Sequence, residues 1–158
     1  MRNLTKYIQE GLKVSSKSKF KKYNYYPKNH VELWELIGKL LDERGSDANL
    51  NDVDISQVTD LSSLFFRRFP HNIDISQWDV SHVENMNFMF GDCHDFNCDL
   101  SNWDIRNVKN MRYMFSSCHK FKGEGLDNWK PDNGTDLYGM FNECPVEKNP
   151  PKWYLNLK

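Results

Sequence analysis

DISQWDVSHVENMNFMFGDCHDF, residues 74–96, recurs almost unchanged as DLSNWDIRNVKNMRYMFSSCHKF at 99–121. Trp78, Met86, Phe90 and Cys93 return as Trp103, Met111, Phe115 and Cys118, each 25 residues later. A fixed period of this size marks stacked supersecondary units. Fainter copies flank the pair. Trp129, Met140, Phe141 and Cys144 follow Trp103, Met114, Phe115 and Cys118 after 26 residues, and Asp54, Val58 and Phe65 precede Asp79, Val83 and Phe90 by 25. The chain therefore holds four repeats, beginning near Leu50, Ile75, Leu100 and Leu126.

Within the third repeat, L-x-x-W-x-I turns Trp103 and Ile105 to one side, the period of a very short strand. From Met111 the spacing changes to i, i+3, i+4, i+7, which gathers Met111, Met114, Phe115 and Cys118 on one face of a one-to-two-turn helix. The expectation is an α/β repeat: a short leucine-rich-repeat-like solenoid of about four strand–short helix units with a helical N-terminal cap. No unit can cover its own apolar face, so stacking must bury the Trp, Met and Phe of one repeat against those of the next.

The motif F-N-x-D-L-S-N-W-D-I-x-N-V-K-N-M-x-x-M-F-x-x-C resembles the repeat of the BspA-like leucine-rich-repeat surface proteins, abundant in mycoplasmas, gut bacteria and their phages. The resemblance covers about Leu50 to Cys144 and rests on W-D-V/I, N-M and M-F-x-x-C recurring together. It implies a solenoid that binds other proteins, often in surface or adhesion roles, without catalytic activity. The opening N-L-T-x-Y-I-x-E-x-L…S-K-S-K also resembles the start of some phage-encoded proteins.

Outward from the repeats the chain divides into 1–48, an N-terminal helical cap with a basic and aromatic segment at 13–28, the repeats at 49–144, and a C-terminal cap at 145–158. Leu4, Ile8 and Leu12 suit a short amphipathic helix over 3–12. Lys17, Lys19, Lys21, Lys22 and Lys28 then alternate with Phe20, Tyr23, Tyr25 and Tyr26. This mixture can follow a phosphate backbone and stack on bases. It equally suits a docking segment for a protein, or an extended stretch whose aromatics pack on the cap. Asn29 and Glu32 have capping-box spacing, Leu33, Trp34, Ile37, Leu40 and Leu41 form one stripe, and Gly45 sits where a terminating glycine belongs. A helix over 30–44 is expected to close the first repeat. In the degenerate first repeat Phe65, Phe66 and Phe69 should fill the helix side. Pro131 suits an edge strand, Asn133-Gly134 a turn, and Trp153, Tyr154 and Leu155 a cover for the last repeat.

At 158 residues the chain is about one domain, and its net charge of −1 gives no bias towards nucleic acid or membrane. It has no apolar run long enough to span a bilayer and no membrane insertion is expected. MRNLTKYIQEGLKV lacks the apolar centre of a signal peptide, so a cytoplasmic protein is expected, with surface or virion association as the alternative. Cys93, Cys118 and Cys144 occupy one apolar slot of successive repeats and read as a ladder of buried reduced thiols. No C-x-x-C spacing calls for a metal, no motif calls for a cofactor, and no catalytic constellation converges.

Binding is therefore sought on the outward strand positions: Asp52, Asp54 and Ser56; Gln77, Asp79 and Ser81; Asn102, Asp104 and Arg106; Asn128 and Lys130. Asp54, Asp79 and Asp104 stack in register, and like charges side by side need an offset. Backbone N–H groups of the following turn, a partner's Lys or Arg, or a cation such as Ca²⁺ could each supply it. The expected function is a non-catalytic protein-binding module for a host or intracellular protein. A surface or virion-associated adhesin and nucleic-acid binding through the basic segment are the alternatives.

Overall fold

The computed structural model describes residues 23–68 and 70–157. The expected helix 3–12, Lys17, Lys19, Lys21, Lys22 and Phe69 lie outside the described residues. Helix α1, His30–Arg44, opens the fold. Asn29 caps it by accepting the Glu32 N–H at 3.0 Å, and Glu32 reaches back to Asn29 Nδ2 at 3.1 Å and to the Lys28 N–H at 3.0 Å. Gly45 ends it at φ 83°, donating its N–H to Leu41 O. Leu33, Ile37 and Leu40 are buried, whereas Trp34 is 47% exposed, its ring covered by the Arg68 guanidinium 4.1 Å away.

Below α1 the repeats stack in register, but they are not built as expected. Among the described residues there is no β-strand, and the repeats hold only two short 3₁₀ turns, Leu126–Asn128 and Pro145–Lys148. The strand–short helix solenoid is thus corrected to a stack of turn-built coils joined by isolated parallel bridges, Asp60 to Asn85, Asn85 to Asn110 and Asn110 to Asp136.

The hydrogen-bond pattern gives the reason. In the second repeat the N–H groups of Met89, Gly91 and Cys93 close successive β-turns onto Met86, Phe88 and Phe90. The alternate N–H groups, of Met86, Phe88, Phe90 and Asp92, cross to the carbonyls of Asn110, Arg112, Met114 and Ser116 at 2.8–3.0 Å. The first and third repeats do the same. A helix would spend every amide within its own turn; here half of them link neighbouring coils. The alternation puts Ser63, Arg67, Phe88, Asp92, Tyr113, Ser117 and Glu143 at φ 51–58°, a left-handed conformation that ends any helix. The W-x-I stretch is broken likewise, since Trp103 and Val108 donate to Leu100 O and Ile105 O in two tight turns.

The interior is a set of columns. Phe65, Phe90, Phe115 and Phe141 stack face to face with centroids 5.5–5.9 Å apart. Trp103, Trp129 and Trp153 stack at 6.4 Å. Trp78, Trp103, Trp129 and Trp153 each send Nε1–H to a carbonyl of the preceding coil, Leu50, Ile75, Leu100 and Leu126, at 2.7–3.3 Å. The indole thus fills the core and ties two coils together. Cys93 and Cys118 donate to Phe65 O and Phe90 O at 3.0 Å as buried free thiols.

Helix α2, Lys152–Asn156, closes the far end. Trp153 continues the tryptophan column and Tyr154 packs edge-on against Phe141 at 5.0 Å, but Leu155 is 60% exposed and does not join the cap. The Asn133-Gly134 turn forms, with Thr135 N–H donating to Asp132 O. Gly125, at φ 84°, packs so closely on Ser101 that any Cβ would overlap its backbone.

Candidate functional site

The outward polar residues sit on turns. Asp or Asn followed two residues later by a residue with a free N–H favours an Asx turn, in which the side chain takes the place of a backbone acceptor. Asp54 accepts from the Ser56 N–H at 2.9 Å. Asp79 accepts from the Ser81 N–H at 3.0 Å and its hydroxyl at 2.6 Å. Asp104 accepts from the Arg106 N–H at 3.2 Å and from its Nε and Nη2 at 2.9 and 2.6 Å. The three stacked carboxylates are therefore offset by the N–H groups of their own turns, joined in the third repeat by Arg106.

The electrostatics follow from those contacts. Hydrogen bonds from the Ser81 hydroxyl and N–H hold the Asp79 carboxyl below the ordinary carboxylate range, against an opposing push from burial and from Asp104. The Arg106 guanidinium does the same for Asp104. Asp52 is held low by the Arg44 guanidinium, which grips both carboxylate oxygens at 2.8 and 3.0 Å and joins α1 to the first coil.

These side chains do not make one uniform face. Asn102, Asp104, Arg106 and Lys130 converge with Asn128 around a shallow cleft of about 270 Å³ between the third and fourth repeats. A second cleft of about 210 Å³ lies on the other side of Arg106, towards Lys109, Asp132 and Thr135. Asp54, Gln77, Asp79 and Ser81 continue the same register in earlier coils, outside both clefts. There Ser81 O accepts from Asn107 Nδ2 at 2.6 Å, and the Gln77 N–H donates to Asn51 Oδ1 at 2.9 Å.

Of the aromatic candidates, Tyr25 is part of the scaffold. It bridges Val53 in parallel and its ring carries the Arg44 guanidinium at 5.5 Å. Tyr26 is 60% exposed and donates its hydroxyl to Tyr23 O at 3.0 Å.

One feature was not anticipated from the residues. Phe66, Phe88, Tyr113 and Tyr138 form an outer aromatic row with centroid separations of 4.7–5.6 Å. Arg67 lies over Phe66 and Arg112 over Tyr138. The signal was the recurrence of an aromatic two residues after Met86 and Met111, which helical spacing assigns to a solvent face.

Among the described residues no group of three or more His, Cys, Asp and Glu side chains gathers as a metal ion would need, and no helix is long and apolar enough to cross a membrane. The model of the family described as "Mycoplasma protein of unknown function, DUF285" matches residues 38–153, most of the chain and all four coils. The chain belongs to that family. No curated protein and no solved structure matches it. The DUF285 match begins inside α1 and ends inside α2, at Trp153.

Proposed function

We propose that the chain is a non-catalytic protein-binding module and that it binds through the polar turns of the third and fourth coils. One observation carries this reading. The carboxylate that organises the turn, Asp104, is consumed within it, while Asn102, Asn128, Arg106 and Lys130 stand around a shallow open cleft. A rigid frame presenting a few polar and cationic side chains suits protein recognition, where charged rims set specificity and association rate. A shallow cleft suits it better than catalysis, which needs a nucleophile and a base converging on one enclosed point.

Arg106→Glu combined with Lys130→Glu reverses the charge at the cleft and leaves the Asp104 turn its backbone donor. Affinity capture from the source cells followed by mass spectrometry should return a protein that the double variant fails to retain, with the two proteins giving the same circular dichroism. The same protein captured equally by both would overturn the assignment to this cleft. Lysine at Asp79 or Asp104 is a poorer test, because each carboxylate caps a turn.

The repeat's likeness to BspA-like surface proteins supports a second reading, attachment at a cell or virion surface. Fractionation decides between them: protein confined to the soluble fraction of intact cells removes the surface reading and leaves the first.

A further inference from the structure

The turn ladder has a direction, and its last edge is open. In the first three repeats the amides at alternate positions cross to carbonyls of the following coil; Met111, Tyr113 and Phe115, for instance, donate to Asp136, Tyr138 and Met140. The equivalent amides of the fourth repeat are those of Leu137, Gly139 and Phe141. Among the described residues none of the three has a hydrogen-bond acceptor. The next in the series, Glu143, is satisfied by the Glu147 carboxylate at 3.1 Å.

The Leu137 and Phe141 side chains are buried in the core, while Leu137 and Gly139 line the open end, where an N–H without a protein acceptor is available to a new one. α2 covers the centre of this end through Trp153 and Tyr154. Beside it lies a cleft of about 350 Å³ walled by Leu137, Tyr138, Gly139 and Asn142 on one side and Leu157 on the other. Tyr138 is 60% exposed there.

We propose that this edge docks the main chain of a partner polypeptide, which adds one rung to the ladder. Its carbonyls at alternate residues accept from Leu137 and Gly139, and an apolar side chain enters between Tyr138 and Leu157. Continuity with the ladder fixes this chemistry, since at each earlier junction the acceptors are peptide carbonyls two residues apart on a parallel chain. Adding main chain to an unpaired edge is a general recognition mode. A second copy of this chain does not fit the requirement. Its matching carbonyls belong to the first coil, and α1 is tied over that end by His30 Nδ1 to Asp60 O at 3.2 Å and Arg68 Nη2 to Trp34 O at 3.1 Å. The site is separate from the Arg106 cleft and does not rest on the function proposed there.

The probe is a synthetic peptide, TDLYGMFNEC, copying residues 135–144, the segment that offers these carbonyls to the third coil. It is titrated into the ¹⁵N-labelled full chain. The Leu137 and Gly139 amide resonances should move downfield and their hydrogen exchange should slow. Leu157→Glu should weaken binding by about tenfold. Unmoved Leu137 and Gly139 resonances at millimolar peptide, or shifts confined to other surfaces, would overturn the proposal. So would protection of the same amides by concentration-dependent self-association without peptide, which would assign the edge to a second copy.

Discussion

Trp103→Ala tests the load borne by the tryptophan column. Trp103 is 4% exposed, stacks on Trp129 at 6.4 Å, lies 6.3 Å from Phe90 and donates Nε1–H to Ile75 O at 3.3 Å. Truncating a buried Trp typically costs about 3–5 kcal/mol through lost transfer energy and the cavity left behind. The variant also removes the indole donor from the Ile75 carbonyl, which keeps the Trp78 N–H at 3.1 Å. A domain of this kind is stable by only about 5–15 kcal/mol in total. Each coil contacts chiefly its neighbours, so a break at the third separates the α1 end from the α2 end. Urea denaturation followed by circular dichroism should show loss of at least about 3 kcal/mol, and thermal melting a fall of at least about 6 °C. Trp153→Ala, at the half-buried end of the column, should cost less. A Trp103→Ala protein melting within a few degrees of wild type would refute the column as the source of stability.

Two further outcomes follow from the electrostatics. Burial pushes the Cys93 thiol up to about 12 and the Cys144 thiol up to about 11, and it raises Cys118 as well. Iodoacetamide at pH 8 should therefore label the half-buried Cys98 first in native protein, and the ladder thiols only at the rate of unfolding; Cys118 labelled as fast as Cys98 would contradict the packing. The carboxyls of Asp52, Asp79, Asp104 and Asp136 are lowered in the folded state by hydrogen bonds, so their stabilisation is complete above the unfolded carboxylate value of about 3.9 and is lost as pH falls through the folded values. Urea midpoints should hold from pH 7 to about 5 and drop below about 4, with Asp52→Asn showing a smaller drop. A midpoint unchanged at pH 3 would show that these turns contribute nothing.

The repeat, its register and the inward residues of the second and third repeats could be read from the residues alone, whereas Phe66, expected inward, joins the outer aromatic row. Trp78, Trp103 and Trp129 are buried at equivalent positions because spacing reports which side chains share an interior. The same spacing does not report how the backbone gets there. Consecutive β-turns carry Met111, Met114, Phe115 and Cys118 inward as well as a helix does, and what separates the two is where alternate amides find acceptors. That depends on the next coil. A local hint was present in Asp-x-Ser at Asp54, Asp74, Asp79 and Asp99, an Asx-turn signature that competes with strand pairing. The left-handed residues gave no such hint, since Phe88 and Tyr113 stand where glycine would ordinarily be looked for. Gly139 does occupy the corresponding place in the fourth repeat, but one glycine among four repeats sets no pattern. Trp34 was misplaced for a tertiary reason: Arg68, from the first coil, shields a ring that lies on the solvent side of α1.

The alternation of amides also governs how this chain can change in length. Each of the first three coils gives N–H groups to its successor, and each later coil offers carbonyls to its predecessor, so a whole unit added between them meets matching chemistry on both sides. A single extra residue between Met86 and Cys93 would exchange the amides that reach across with those that stay home, and would break both sets of bonds at once. Growth or shrinkage by complete modules keeps the bonds at every junction matched, while small insertions in that stretch break them.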